Sequence, residues 1–127
     1  MIQVGTKVKV IDNSGSKVAL CFKIIYGFKK RYGFVGDLIK VSIKKLRNKR
    51  RSLSRTKKGE IHTGLIIRTK KEIKYFSGDN LMFFENSIVL LNKKNKLIGT
   101  KIFGLVPIKL RYTKFLKIAS LSSGFCR

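Results

Sequence analysis

The sequence predicts a mainly β domain, either a small closed barrel or a sandwich, from three observations. Apolar residues recur with a period close to two over most of the chain. Clusters of turn residues interrupt that pattern at short spacing. Only the stretch near the C-terminus switches to helical spacing. Of the two architectures the closed barrel is preferred, because it leaves no exposed edge to pair with other chains.

Each element follows from its own residues. Val4, Val8 and Val10 alternate with Lys7 and Lys9, the pattern of a half-buried strand. DNSG, Asp12 to Gly15, is turn chemistry. VALCFKII (18–25) is denser in apolar residues and predicts a more central strand. The loop YGFKKRYGFVGD follows, with glycines at 27, 33 and 36 and three consecutive cations between aromatics. Leu38 to Lys44 alternates cleanly, with Ile39, Val41 and Ile43 inward and Lys40, Ser42 and Lys44 outward. IHTGLIIR (61–68) is a fourth strand, and EIKYFSGDNLMFF holds a hairpin turn at Ser77 to Asn80 that suits an extended two-stranded ribbon. SIVLLN (87–92) is a further strand ending in the polar turn NKKNK. In LRYTKFLKIASL, the spacing of Tyr112, Phe115, Leu116 and Ala119 predicts a short amphipathic helix packed on the barrel. RTKK occurs twice, but in so Lys-rich a chain the repeat is near chance. No linker composition is visible, so one unit of 127 residues is expected, long enough for one hydrophobic core.

Charge is what sets the chain apart. Thirty Lys and Arg stand against six Asp and Glu, a net charge of +24. KKLRNKRRSLSRTKKG, residues 44–59, has nine cations in its first fifteen residues and no acid. Such a segment repels itself and covers no core, so its use lies outside the fold. A single-sign excess of this size attracts polyanions, and dense phosphate is the expected partner. Phe28, Tyr32 and Phe34 interleave with Lys29, Lys30 and Arg31, which suits base stacking beside phosphate neutralisation. The other reading of Tyr32 and Phe34 is that they cap one end of the barrel.

Other classes fit poorly. No stretch approaches the roughly 20 apolar residues of a membrane span. A cationic membrane-surface protein would need a long amphipathic basic helix, and only the short tail qualifies. MIQVGTKVKVIDNSG alternates rather than running apolar, so neither a signal peptide nor an Arg-rich leader is expected. Cys21 lies in an apolar run and reads as a small core residue, Cys126 as a frayed thiol, and a reducing compartment fits. One histidine and six scattered carboxylates offer no catalytic grouping, no metal-ligand spacing and no phosphate loop. His62, on a strand without a sequence-local partner, reads as structural, and most of the carboxylates lie at or next to turns. An enzyme, a cofactor and a metal are not expected.

One longer pattern carries a resemblance. Residues 64–90 read G-L-I-I, nine residues, S-G, four residues, F, two residues, N, two residues, V-L. Around it lie MIQ at the start, DNSG at 12–15, KRYGFVGDLIK at 30–40, KKG at 57–59, RTKK at 68–71, LLN at 90–92, IGTKIFG at 98–104 and KFLKIASL at 114–121. Taken together, the chain resembles the universal ribosomal protein L-fourteen family of the large ribosomal subunit, essentially end to end. It departs in a longer and more cationic stretch at 44–58, in FGLV where the family has FGPV, and in the ending SSGFCR.

The resemblance implies a five-stranded barrel with a projecting β-ribbon and a short C-terminal helical region. On this sequence that puts the barrel at 1–107, with a basic loop at 44–60 and the ribbon at 68–84, and the tail at 108–127. It also implies a structural role in the large subunit: binding large-subunit rRNA, touching neighbouring ribosomal proteins and helping to bridge to small-subunit rRNA. A ribosome-silencing or anti-association factor docks on the same side in related ribosomes. Expected rRNA contacts are densest at Arg47, Lys49, Arg50, Arg51 and Arg55, with Lys44 and Lys45 leading in. Lys57, Lys58, Arg68, Lys70 and Lys71 continue the surface, and Lys29, Lys30, Arg31 and Tyr32 add to it. The partner surface is expected at Thr100, Lys101, Phe103, Arg111 and Lys114. A chain heavy in Ile, Lys, Asn, Phe and Tyr, with two alanines and one proline, points to an AT-rich genome. With no leader expected, that suggests synthesis inside an organelle, a mitochondrion before a plastid or an AT-rich bacterium. The alternative function is a free-standing RNA-binding barrel, a translation factor or RNA chaperone, which would exchange on and off RNA.

Overall fold

The computed structural model describes residues 1–25, 27–47 and 54–126. Five strands close into a barrel: β1 (Lys7–Val10), β2 (Ser16–Ile24), β3 (Leu38–Leu46), β4 (Ile61–Arg68) and, after the ribbon, β7 (Ser87–Leu91). Neighbours run antiparallel except at the seam, where β1 meets β7 in parallel with Lys9 opposite Ser87 and Val10 opposite Ile88. Closure removes both edges, as the preference for a barrel over a sandwich required.

Alternation decides which side chains fill the interior. Val8, Val10, Ala19, Cys21, Ile39, Val41 and Ile43 are buried, while Lys7, Lys9 and Lys44 are exposed. Each fully buried aliphatic contributes roughly 1.5–3 kcal/mol. β4 and β7 depart from alternation: residues 63–67 and all of β7 are buried. Strands covered on both faces read as continuous apolar runs, and here the second face is met by the C-terminal region. Val106, Leu110, Phe115, Ile118 and Ala119 join the same buried cluster, and β8 (Ile102–Pro107) packs against β4.

Gly64, the small residue opening the G-L-I-I pattern, is required by this crowding. A Cβ there would stand 3.0 Å from Ile88 Cδ1 and 3.6 Å from both Ile39 Cγ1 and Val41 Cγ1. Gly64→Val is expected to cost about 1–3 kcal/mol through overpacking, read as a lower urea midpoint with an unchanged slope.

Several expectations are corrected. Val4 is 61% exposed, because residues 3–6 form a turn in which the Thr6 N–H donates to the Gln3 carbonyl, and the strand begins at Lys7. The ribbon pairs over two residues a side, β5 (Ile73–Lys74) with β6 (Asn80–Leu81), so Asn80 belongs to a strand and the turn sits earlier. β8 lies outside the barrel and pairs in parallel with a strand absent from the sequence reading, β9 (Ser122–Cys126).

The single amphipathic helix is replaced by a 3₁₀ turn (Ile108–Tyr112) and a four-residue helix α1 (Leu116–Ala119). Thr113 separates them: its hydroxyl bonds the Leu110 carbonyl and accepts the Phe115 N–H. Such local side-chain bonds compete with helix continuation. Tyr112 and Leu116 therefore face solvent, at 81% and 45% exposure, and Leu110, Phe115 and Ile118 take the core positions. Cys126 is half-buried in β9 rather than frayed, and burial pushes its thiol up.

Candidate nucleic-acid interface

The DNSG turn organises the base of the basic loop. Asp12 is fully buried and accepts the backbone N–H groups of Ser14 at 2.9 Å and Leu90 at 2.8 Å. Arg47 N–H donates to the Gly15 carbonyl on the way out, and Arg55 N–H to the Ser14 carbonyl on the way back. Ser16 and Thr56, both buried, join their hydroxyls at 2.7 Å. Both ends of the loop are thus held side by side on one turn. Lys49, Arg50 and Arg51 lie outside the described residues.

The same turn organises the segment expected to meet partners. Asn13 Oδ1 accepts the backbone N–H groups of Thr100 and Lys101, and Asn13 Nδ2 donates to Thr100 Oγ1 at 2.8 Å. Gly99 leaves room for this, since a Cβ there would come within 2.6 Å of Asn13 Oδ1. Arg55 Nη1 donates to the Ile98 carbonyl at 2.8 Å. Loop base and partner segment are therefore one hydrogen-bonded unit, which sequence separation of over 80 residues conceals.

Structure sorts the predicted cations into two kinds. Arg68 is turned into the protein: Nε donates to the Leu105 carbonyl at 2.8 Å, Nη2 to the Phe103 carbonyl at 2.6 Å and Nη1 to Glu85 at 3.1 Å. Its side chain is only 12% exposed, so the guanidinium expected at phosphate is held by three acceptors of the fold. Arg47 lies 5.3 Å over the Phe103 ring and donates to the Val10 carbonyl, so it braces β1 against β8 as well as standing at the loop. Lys30 pairs with Asp37 at 2.7 Å, while Asp37 also accepts the Phe34 N–H and closes the GFVG turn. That turn is backbone geometry, with Gly36 at φ +91°.

The second kind is free for anions. Lys44, Lys45, Lys58 and Lys70 are exposed, with no hydrogen-bond or ion-pair partner for their ammonium groups among the described residues. Lys57 and Lys71 are exposed too, Lys57 giving its backbone N–H to Glu60. Lys29 and Arg31 are exposed, Lys29 lying 5.4 Å from the Phe28 ring, and Tyr32 is 39% exposed. Phe34 lines a small cleft of about 190 Å³ with Lys71, Lys74 and Lys109. Thr100 and Lys101 are exposed, and Phe103 is half covered. Arg111 sits over the Phe125 ring at 6.0 Å and Lys114 over Phe115 at 5.6 Å.

One cationic feature was missed by sequence reasoning. Lys7, Lys9, Lys44, Lys45 and Lys70 line an open groove of about 780 Å³ with Phe84 on its rim. A β-bulge makes it: Val18 pairs with Lys45 and Ala19 with Ile43, so Lys44 is the extra residue and both lysines emerge on one side. Strict alternation would have sent Lys45 inward. Lys7 and Lys9 were legible as outward strand residues, but their nearness to Lys44 and Lys70 depends on barrel closure.

The groove's one carboxylate is already engaged. Burial pushes Glu85 up, but hydrogen bonds from Lys9 and Ser87 and the charges of Lys9 and Arg68 outweigh it and hold the carboxyl below its ordinary value. A depressed carboxylate gives stability that is fully present above its unfolded value and lost as pH falls through the folded one. Glu85→Gln is expected to flatten that part of the acid limb below about pH 4.5, read as Tm against pH. Elsewhere, the Lys57 N–H holds Glu60 below its ordinary value, and His62 Nε2 lies 3.3 Å from Glu60. Glu60 is thus the near carboxylate, two residues away, but the buried His62 Nε2 makes no hydrogen bond among the described residues. Among the described residues, no group of three His, Cys, Asp or Glu could hold a metal, and no helix is long and apolar enough to cross a membrane.

The family model described as Ribosomal protein L14p/L23e matches residues 1–126.

Proposed function

From a chain that belongs to the Ribosomal protein L14p/L23e family, and so is a structural constituent of the large ribosomal subunit rather than an enzyme, we propose that its unpaired cations bind large-subunit rRNA. The observation that carries this reading is how little of the charge the protein neutralises itself. Of the lysines and arginines among the described residues, Lys9, Lys30 and Arg68 form ion pairs with carboxylates. The remaining field is spread over the loop base, the end of β3 and the start of the ribbon. Phosphate contacts from such a surface fix position without reading sequence.

The segment Thr100–Lys101, held out by Asn13, with Phe103, Arg111 and Lys114 nearby in the chain, forms the surface that meets small-subunit rRNA and neighbouring proteins. A ribosome-silencing factor has its docking place on the same side. Composition supports a mitochondrial ribosome as the site of action, since poverty in Ala and Pro with abundance of Lys, Ile and Asn matches an AT-rich genome.

The test is sedimentation of lysates from purified mitochondria and from cytosol through sucrose gradients at high and low Mg²⁺, with mass spectrometry of this chain. One copy per large subunit, retained through a high-salt wash and confined to the mitochondrial sample, is the expected result. Release into light fractions at moderate salt would mean an exchanging RNA-binding barrel instead.

A further inference from the structure

We infer that the groove between β1, the end of β3 and the base of the ribbon seats one unstacked nucleotide of single-stranded rRNA, its base on the Phe84 ring and its flanking phosphates among Lys7, Lys44, Lys45 and Lys70. The inference rests on the rRNA-binding reading above and assigns it a specific place. Phe84 is 93% exposed, an arrangement that leaves almost the whole ring without the burial that normally keeps a phenylalanine folded in. Phe28 and Phe76 are as bare, but neither is among the residues that line this groove. Around Phe84 the groove brings five lysines and one carboxylate, and that carboxylate is bound by Lys9 and Arg68. What remains is a bare ring beside Lys7, Lys44, Lys45 and Lys70, whose ammonium groups have no partner among the described residues.

Three properties of the groove select its occupant. Its volume, about 780 Å³, is room enough for a single nucleotide, and its open form leaves the chain free to enter and leave on either side. Stacking requires a free base face, which a duplex does not offer and an unpaired stretch does. An acidic peptide would satisfy the lysines, but the negative face of the ring gives its carboxylates nothing. A base gains from the same face, and its phosphates gain from the lysines.

Titration of the full chain with a labelled single-stranded RNA 12-mer, followed by fluorescence anisotropy, tests this. Phe84→Ala is expected to weaken binding roughly 5- to 150-fold without changing the salt slope, because it removes stacking and no charge. Phe84→Trp should hold or tighten it. Lys45→Ala and Lys70→Ala should each lower the salt slope by about 0.7. With an oligonucleotide of equal charge that carries no bases, wild type and Phe84→Ala should bind alike. Because the ring is exposed, the variant should unfold at the wild-type temperature, which separates lost binding from lost fold.

Wild-type affinity in Phe84→Ala, with binding still weakened by Arg55→Ala and Lys58→Ala, would overturn the groove assignment and leave the rRNA reading intact. Salt-independent binding in every variant would overturn both. Displacement of the RNA from wild type by a poly-glutamate peptide, but not from Phe84→Ala, would overturn it by giving the groove to an acidic protein.

Discussion

Raising salt from 50 to 200 mM is expected to weaken the isolated chain's hold on large-subunit rRNA by about 10³- to 10⁵-fold. This is the largest effect predicted for the protein. It follows from charge that the fold leaves unspent: +24 overall, with three cations in ion pairs with carboxylates among the described residues. If roughly 6–10 phosphates are neutralised, each releases condensed counterions, and the logarithm of affinity falls with the logarithm of salt at a slope of about −0.9 per duplex phosphate. Anisotropy titrations at several salt concentrations measure that slope. Replacing Lys44, Lys45, Lys58 and Lys70 together by Ala should make it shallower by about 3–4, since none of their ammonium groups has a partner to lose among the described residues. A wild-type slope shallower than about −2 would rule out a multi-phosphate interface.

Arg68→Ala is expected to destabilise the fold by about 2–4 kcal/mol. The guanidinium joins three parts of the chain: β4, which carries it, the carbonyls of Phe103 and Leu105 in β8, and Glu85 before β7. Hydrogen bonds to a charged group are worth about 1.5–3 kcal/mol each, and the exposed carbonyls recover part of that loss from water. Gly104, at φ +80°, is what lets β8 come so close, because a Cβ there would collide with Arg68 Nη2. Arg68→Lys should not rescue the variant, because one ammonium cannot serve three acceptors in a planar fork. Urea unfolding at fixed salt gives the energy, and Tm should fall by on the order of 10 °C. Wild-type stability in Arg68→Ala would return the residue to the phosphate-binding set. Two arginines of similar sequence surroundings thus differ in degree: Arg55 stays exposed and gives one guanidinium N–H to the Ile98 carbonyl, while Arg68 gives three to the fold.

Much of the barrel was legible in the chain. Ile39, Val41 and Ile43 alternate with polar neighbours, and each alternation became a strand with those residues inside. The run at 87–92 was equally clear. The tail was less legible, because Thr113 breaks the helix through a side-chain bond that apolar spacing does not register. β9 was invisible: SSGFC has no alternation of its own, and its order comes from pairing in parallel with β8.

For the interface the division is similar. Net charge and the run at 44–59 pointed to a polyanion without any coordinates, since like charges gathered at this density find no compensation inside a small domain. Which cations remain available was a tertiary matter. Arg68 faces three acceptors brought together from residues 85, 103 and 105, and Lys30 faces Asp37. The groove at Phe84 needed both the bulge at Lys44 and closure of β1 onto β7.

By itself, then, the sequence determined the strand pattern, the family and the sign of the partner's charge, because periodicity and net charge are properties of residues in order. Only the tertiary structure decided which charges are spent on holding the fold and which are left exposed without a partner among the described residues. Hydrogen bonds and ion pairs form between side chains that are neighbours in space, and barrel closure makes neighbours of residues up to 80 positions apart.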